Sequence, residues 1–165
     1  MTGRALFHFQ TGFSIACEQN GYAWDIEKQP VRTEGPLRVQ MQTGDVGADE
    51  IHLLLSVTQS VEQGYEEWRR SSGSSSALQF HFVPKKGSSH EVLDKYDGVD
   101  AALQVAEAIL SVPPRANVRR IRIFCAGPVA FALALGRTIN TWGEVVTMYY
   151  SKALGMYFES FRFRA

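Results

Sequence analysis

This chain of 165 residues has little cysteine, little lysine and no excess of either charge. Only Cys17 and Cys125 occur, without a CxxC spacing, and Cys125 lies in the apolar run Ile121–Ala126, a poor place for a disulfide or a metal. Two lone cysteines point to a reducing compartment. The start, Met1-Thr-Gly-Arg-Ala-Leu-Phe-His-Phe, lacks the apolar h-region of a secretory signal. The longest apolar stretch, Ile123 to Leu135, is interrupted by Gly127-Pro128 and falls short of the roughly 20 residues a membrane-spanning helix needs. A cytoplasmic protein with no membrane partner is expected. Seventeen Lys and Arg balance 17 Asp and Glu. That zero argues against a protein that coats long nucleic acid, which calls for a basic face. It leaves room for a small anionic ligand, which needs only a few local donors. Twelve of the cations are Arg and five are Lys. Arg has a planar fork suited to phosphate and carboxylate, although a high-GC genome gives the same skew.

Catalytic signatures are absent too. No HExxH, no Cys/His metal spacing and no GxSxG occurs, and the four histidines (His8, His52, His81, His90) are scattered. His52 and His81 sit within strand patterns, where an isolated histidine is usually a satisfied structural residue. No acid pairs convincingly with a second acid. The sequence argues for binding rather than turnover, with no catalytic residue, no metal and no cofactor assigned.

What is there is enough for a folded domain. A chain of this length buries roughly 70% of its unfolded surface without staples, and 45% hydrophobic with 21% charged residues is ordinary for a globular protein. The first third reads as β, with short runs at Ala5–Gln10, Ser14–Cys17 and Tyr22–Ile26 and a cleanly alternating one at Leu37–Gln42, where Leu, Val and Met should face the core. The period then changes. Ile51–Val57 is almost continuously apolar, as expected for a strand buried on both faces of a parallel sheet. Val61–Arg70 predicts a helix, with Val61, Tyr65 and Trp68 on one face and Glu62, Glu66 and Arg69 on another. Ala77–Val83 predicts a strand, Val99–Leu110 a helix stopped by Pro113-Pro114, and Val118–Cys125 a strand with an Arg-rich start. A helix from Gly127-Pro128 to about Ile139 is apolar on all sides and should be covered. Strands at Val145–Tyr150 and Met156–Arg164 close the chain. Strands alternating with helices predict a mostly parallel α/β sheet with an antiparallel C-terminal hairpin.

Ile51-His-Leu-Leu-Leu-Ser-Val and Ile121-Arg-Ile-Phe-Cys-Ala-Gly are each an apolar strand leading through a small-residue turn into a helix, 70 positions apart. If this weak repeat is real, the two βα turns lie near one another at the carboxyl ends of their strands, where open α/β sheets bind ligands.

Four segments are candidates for that ligand. Ala126-Gly127-Pro128 combines an unobstructed backbone with a helix start, which favours phosphate; it matches neither GxxxxGK[ST] nor GxGxxG, and a turn with Gly for geometry alone is the plainer reading. Thr58-Gln59-Ser60 offers three hydrogen-bonding side chains where one helix cap needs one, with Ser60 the expected cap. Lys85-Lys86-Gly87-Ser88-Ser89-His90 makes a plausible lid over an anion, against the plainer reading of a solvated loop. Tyr150 and Lys152 end a strand, where tyrosine could stack a base and lysine reach a phosphate. Lys85, Lys86 and Lys152 are three of only five lysines, so a neutral chain gathers a small local cationic pocket.

The ordered set formed by Phe80–Pro84 before Lys85-Lys86-Gly87, the helix Val99–Leu110, Ile121-Arg-Ile-Phe-Cys-Ala-Gly-Pro-Val-Ala, Ala134-Leu-Gly-Arg137, Ile139-Asn140 and Val145–Tyr150 resembles the SAVED domain, and Ile51–Ser60 matches an earlier strand and turn of that family. The resemblance implies two fused Rossmann-like, CARF-like lobes, here a β-rich first lobe at 1–75 and a second at 76–165 of a single sensor domain. It also implies a cyclic oligonucleotide ligand of the oligoadenylate type, in CBASS or type III CRISPR antiviral defence. A fused or separate effector protein would be activated through ligand-induced homo-oligomerisation. The residues it places toward the ligand are Thr58–Ser60, Lys85–His90, Ala126–Val129 and Tyr150–Lys152. The chain is shorter than most complete members, carries no recognisable effector, and matches only loosely over 1–45. Two other readings stand beside this one: a ring-nuclease-like enzyme using Lys85 and Ser88, and a scaffold subunit that only assembles with an effector.

Overall fold

The computed structural model describes residues 35–44, 48–74, 77–85, 95–110, 119–138 and 143–164. The expected strands before residue 27 lie outside them. Six strands form one sheet: β1 (Leu37–Thr43), β2 (Glu50–Ser56), β3 (Leu78–Pro84), β4 (Arg120–Ala126), β5 (Glu144–Ser151) and β6 (Met156–Arg164). Three helices join them among the described residues: α1 (Glu62–Ser72), α2 (Lys95–Leu110) and α3 (Val129–Thr138). The spatial order is β1-β3-β2-β4-β5-β6. The inner four strands are parallel, and β1 and β6 pair antiparallel at the two edges. The expected α/β class, mostly parallel with an antiparallel C-terminal hairpin, is the one observed. The sheet is continuous across the 75/76 division, because β2 lies between β3 and β4.

The apolar run of β2 puts side chains into both faces. Leu53, Leu55 and Val57 pack with Phe80, Phe82, Ile123 and Cys125 under α2 and α3, which contribute Val105, Ile109, Phe131 and Leu135. Leu54 faces the other way, into a smaller cluster with Phe124, Met148 and Tyr157 under α1, which contributes Tyr65 and Trp68. That second cluster is held by ring geometry: Phe124 meets Tyr65 at 4.9 Å and Tyr157 at 5.2 Å, both edge to face. Buried His52 sits among these rings, with Nδ1 2.9 Å from the Tyr65 hydroxyl and Nε2 3.2 Å from Glu50. With the carboxylate accepting from Nε2–H, the tyrosine hydroxyl donates to Nδ1, and burial pushes the Tyr65 pKa up.

Beyond the end of α1 that face is closed by charge. Arg122 pairs with Glu50 and Glu159, Arg120 with Glu144, and Arg162 with Glu159 at 2.8 Å. Arg122 also lies 5.4 Å from the Trp68 ring centroid. Burial acts to raise the Glu50 pKa, but the hydrogen bond from His52 and the Arg122 guanidinium outweigh it and hold the carboxyl below its ordinary value. The Arg-rich start of β4 is therefore spent on structure, at the amino ends of the parallel strands.

Two expectations are corrected. Val39 is not buried but 45% exposed. It keeps the register of buried Leu37, and the shift comes only after it, between Val39 and Met41, so its exposure is that of an edge-strand position left uncovered. Leu37 is buried and pinned by Gln104 of α2, whose amide accepts from Leu37 N–H at 3.0 Å and donates to its carbonyl at 2.7 Å. The second helix starts at Lys95 rather than Val99. The uneven spacing of Phe158, Phe161 and Phe163 follows from a register shift in the β5–β6 pair.

Candidate functional site

From β2 the chain crosses through α1 to β3 on one side; from β4 it crosses through α3 to β5 on the other. The order therefore reverses between β2 and β4, with α1 on one face and α3 on the opposite face. Such a switch point, at the carboxyl ends of the strands, is where open parallel sheets leave a crevice for a ligand. The two strands are in the register that the repeat suggested: Ile51 pairs with Ile121, Leu53 with Ile123 and Ser56 with Ala126. The Ala126 carbonyl accepts from both Val57 N–H (2.9 Å) and Thr58 N–H (2.8 Å), locking the turns side by side.

At the β4–α3 turn, a Cβ on Gly127 would lie 2.9 Å from Cδ1 of buried Phe131 and 3.5 Å from Val57. Glycine is there because the backbone runs against that ring. Ala132 N–H donates to the Pro128 carbonyl at 3.1 Å, the first helical bond of α3. The first turn of α3 carries no acidic residue of its own, and its amide N–H groups and dipole point toward the rim. Beneath it Cys125 is fully buried, and burial raises its thiol to about 11, which leaves it unreactive.

The β2–α1 turn is built differently. Thr58 is half-buried, and Gln59 and Ser60 are exposed. Ser60 Oγ accepts from Glu62 N–H at 3.3 Å and donates to the Glu62 carboxylate at 3.1 Å, but the helix cap is Val61 rather than the expected Ser60. The deeper capping contact comes from Ser56, whose Oγ accepts from Val61 N–H at 3.1 Å.

Lys85 is exposed after β3, and Lys152 is exposed in the turn after β5, both at the carboxyl rim. Lys86, Ser88 and His90 lie outside the described residues. Tyr150 is 37% exposed and rests on α1: a Cβ on Gly64 would fall 2.7 Å from Tyr150 Cε2, and its ring centroid is 5.2 Å from that of Tyr157. One side of this tyrosine is committed to the helix. The structure thus brings Thr58–Ser60, Lys85, Ala126–Pro128, Tyr150 and Lys152 to one edge of the sheet. Among the described residues, no group of three metal-ligating side chains forms and no helix is long and apolar enough to cross a membrane.

A family model for the SMODS-associated and fused to various effectors sensor domain, SAVED, matches residues 2–163. The chain belongs to this family. No curated protein matches it. Solved structures with a similar fold include the Acinetobacter baumannii Cap4 SAVED/CARF-domain containing receptor with the cyclic trinucleotide 2'3'3'-cAAA, at TM-score 0.74 and 15% identity over 98% of this chain. The same receptor with 3'3'3'-cAAA aligns at 0.70 and 17% identity over 99% of this chain. The Moraxella osloensis Cap4 receptor aligns at 0.57 and 16% identity over 94% of this chain. The SAVED chain spans 37% of the length of the Acinetobacter receptor and 34% of the Moraxella one.

Sequence reasoning passed over three residues of this SAVED rim. Ser56 was read as part of an apolar strand, His81 as an ordinary strand histidine and Glu62 as helix surface. His81 is 1% exposed, with Nε2 2.8 Å from Ser56 Oγ and Nδ1 3.4 Å from Glu62 Oε1. Burial lowers the His81 pKa against the pull of Glu62. The available signal was a serine and a histidine at corresponding depths of two adjacent buried strands, which is visible only once the strand pairing is known.

Proposed function

We propose that this chain is a sensor module that binds a cyclic oligonucleotide of the oligoadenylate type at the carboxyl rim of its sheet. The observation that carries the reading is the switch point between β2 and β4, where two βα turns lie side by side and the α3 amino end has no acid in its first turn. Amide N–H groups at that turn, with Lys85 and Lys152, would contact phosphates. Tyr150 and the Thr58–Ser60 turn would hold bases and sugars. Membership in a family of sensor domains and the likeness to receptors solved with cyclic trinucleotides support the ligand class.

The family's description as fused to various effectors supports an effector partner, fused or separate. Ligand would act on it by favouring an assembled state that it binds more tightly. The test is calorimetric titration with cyclic di-, tri- and tetranucleotides, with sedimentation run on the same samples. Binding to one ring size with a rise in mass is expected. Affinity no tighter than high micromolar for every ring would sink the reading, and tight binding without a change in mass would remove the oligomerisation step alone.

A further inference from the structure

Ser56 and His81 are hydrogen-bonded at the end of β2, with Glu62 beside them. Among the described residues the buried His81 Nδ1 atom makes no hydrogen bond, and the Glu62 carboxylate stands 3.4 Å from it. A carboxylate facing Nδ1 places the ring proton there. Nε2 then accepts the Ser56 hydroxyl proton, and the serine lone pair takes Val61 N–H. This tautomer satisfies the Ser56 contacts and turns the Nδ1 proton toward Glu62. Glu62 accepts from the Ser60 hydroxyl on one oxygen and lies against His81 on the other, while its side chain stays 50% exposed.

A carboxylate only accepts hydrogen bonds. Sitting in the first turn of α1, Glu62 already satisfies the helix dipole and repels a phosphate from that turn. A half-exposed acceptor at the proposed nucleotide rim selects instead for a neutral donor, which in a nucleotide is a ribose hydroxyl or a base amine. Resting on the cyclic-nucleotide reading above, we propose that Glu62, positioned by the Ser56–His81 pair, is a specificity-determining residue that accepts a hydrogen bond from such a donor and leaves phosphate to the β4–α3 turn.

The test uses the whole chain and calorimetry with 3'3'3' cyclic triadenylate, its 2'-deoxy counterpart and its inosine counterpart. The wild type should prefer the triadenylate over whichever analogue lacks the contacted donor, so the deoxy and inosine arms separate hydroxyl from amine. Glu62→Ala should weaken triadenylate binding by about tenfold to a hundredfold, the range for a hydrogen bond to a charged group, and level that preference. If Glu62 merely repelled phosphate, Glu62→Ala would bind more tightly, and that outcome or an unchanged preference overturns the proposal. His81→Asn, which keeps a donor near the Nδ1 position, should retain the preference; His81→Gln, which keeps only a partner for Ser56, should lose it. Identical selectivity in these two variants overturns the positioning role. A wild type that binds none of the three overturns the underlying reading as well, whereas a binding wild type with an indifferent Glu62→Ala overturns this inference alone.

Discussion

The β2–α1 and β4–α3 units share a register, a strand pattern and a short turn, yet their turns do opposite work. Ser56 and Ala126 are paired across the two strands. From Ser56 the chain builds a polar turn that ends in a carboxylate. From Ala126 it builds an apolar turn around Gly127, with no acid behind it. One turn is filled by its own groups and the other faces the rim with amide groups. A repeated supersecondary unit therefore need not be a repeated binding site, because a single hydroxyl decides whether the following helix start is internally occupied.

The largest expected effect comes from exchanging that pair. Ser56→Ala strips a partner from Val61 N–H and from His81 Nε2, both buried. At about 1–3 kcal/mol for each unsatisfied group, and allowing for partial relaxation, the loss should be about 2–3 kcal/mol in urea unfolding. Ala126→Ser adds a hydroxyl at a half-buried site and should move stability by less than about 1 kcal/mol. Equal costs in the two variants would erase the distinction drawn here. Next is Gly127→Ala. The added methyl meets buried Phe131 and has no exposed direction in which to push it, so a cost of about 1–2 kcal/mol is expected.

A smaller effect is the pH dependence that His81 gives the β2–α1 side. The folded His81 pKa lies below its unfolded value near 6.5. Between the two the unfolded chain binds more protons, so stability rises with pH there and falls as pH drops below about 6.5. His81→Asn should flatten that window. Glu50 has a folded pKa below 4.5, so its contribution is present above that pH and is lost as pH falls through the folded value. Glu50→Gln should lessen only this lower window, to which Glu144, held low by the Arg120 hydrogen bond, also contributes. Urea midpoints measured from pH 7 to pH 3 separate the two, and a His81→Asn profile parallel to wild type would show that His81 does not titrate with unfolding.

Much of this was legible in the sequence. The continuous apolar run of β2 announced a central strand, and the offset of 70 between Ile51 and Ile121 is the register in which the strands pair. Both follow from local pattern. What stayed hidden depends on pairing between distant segments. Val39 looks like a core residue because alternation does not reveal how far the cover over an edge strand extends. Ser60 looked like the helix cap because it is adjacent in sequence, whereas Ser56 caps from within the strand. The Ser56–His81 contact joins residues 25 apart, and a histidine inside a strand pattern carries no mark of its partner. That Tyr150, a candidate for stacking a base, rests one side on α1 stays hidden because nothing in Gly64 announces that it makes room for a ring.

That last contact gives the smallest expected effect and the finest probe of the α1 side. Gly64→Ala gains about 1 kcal/mol of helix propensity and loses the seat of the Tyr150 ring, with the new methyl also 3.0 Å from Tyr157. Tyr150 is partly exposed and has somewhere to move, unlike Phe131 beneath Gly127. The two terms should nearly cancel, leaving stability within about 1 kcal/mol of wild type while the tyrosine swings toward the rim. Near-neutral unfolding together with altered affinity for a cyclic trinucleotide would place Tyr150 in the binding surface. A stability loss as large as that of Gly127→Ala would mean that the ring is as firmly seated as Phe131, and that both turns are backed by rigid aromatic packing.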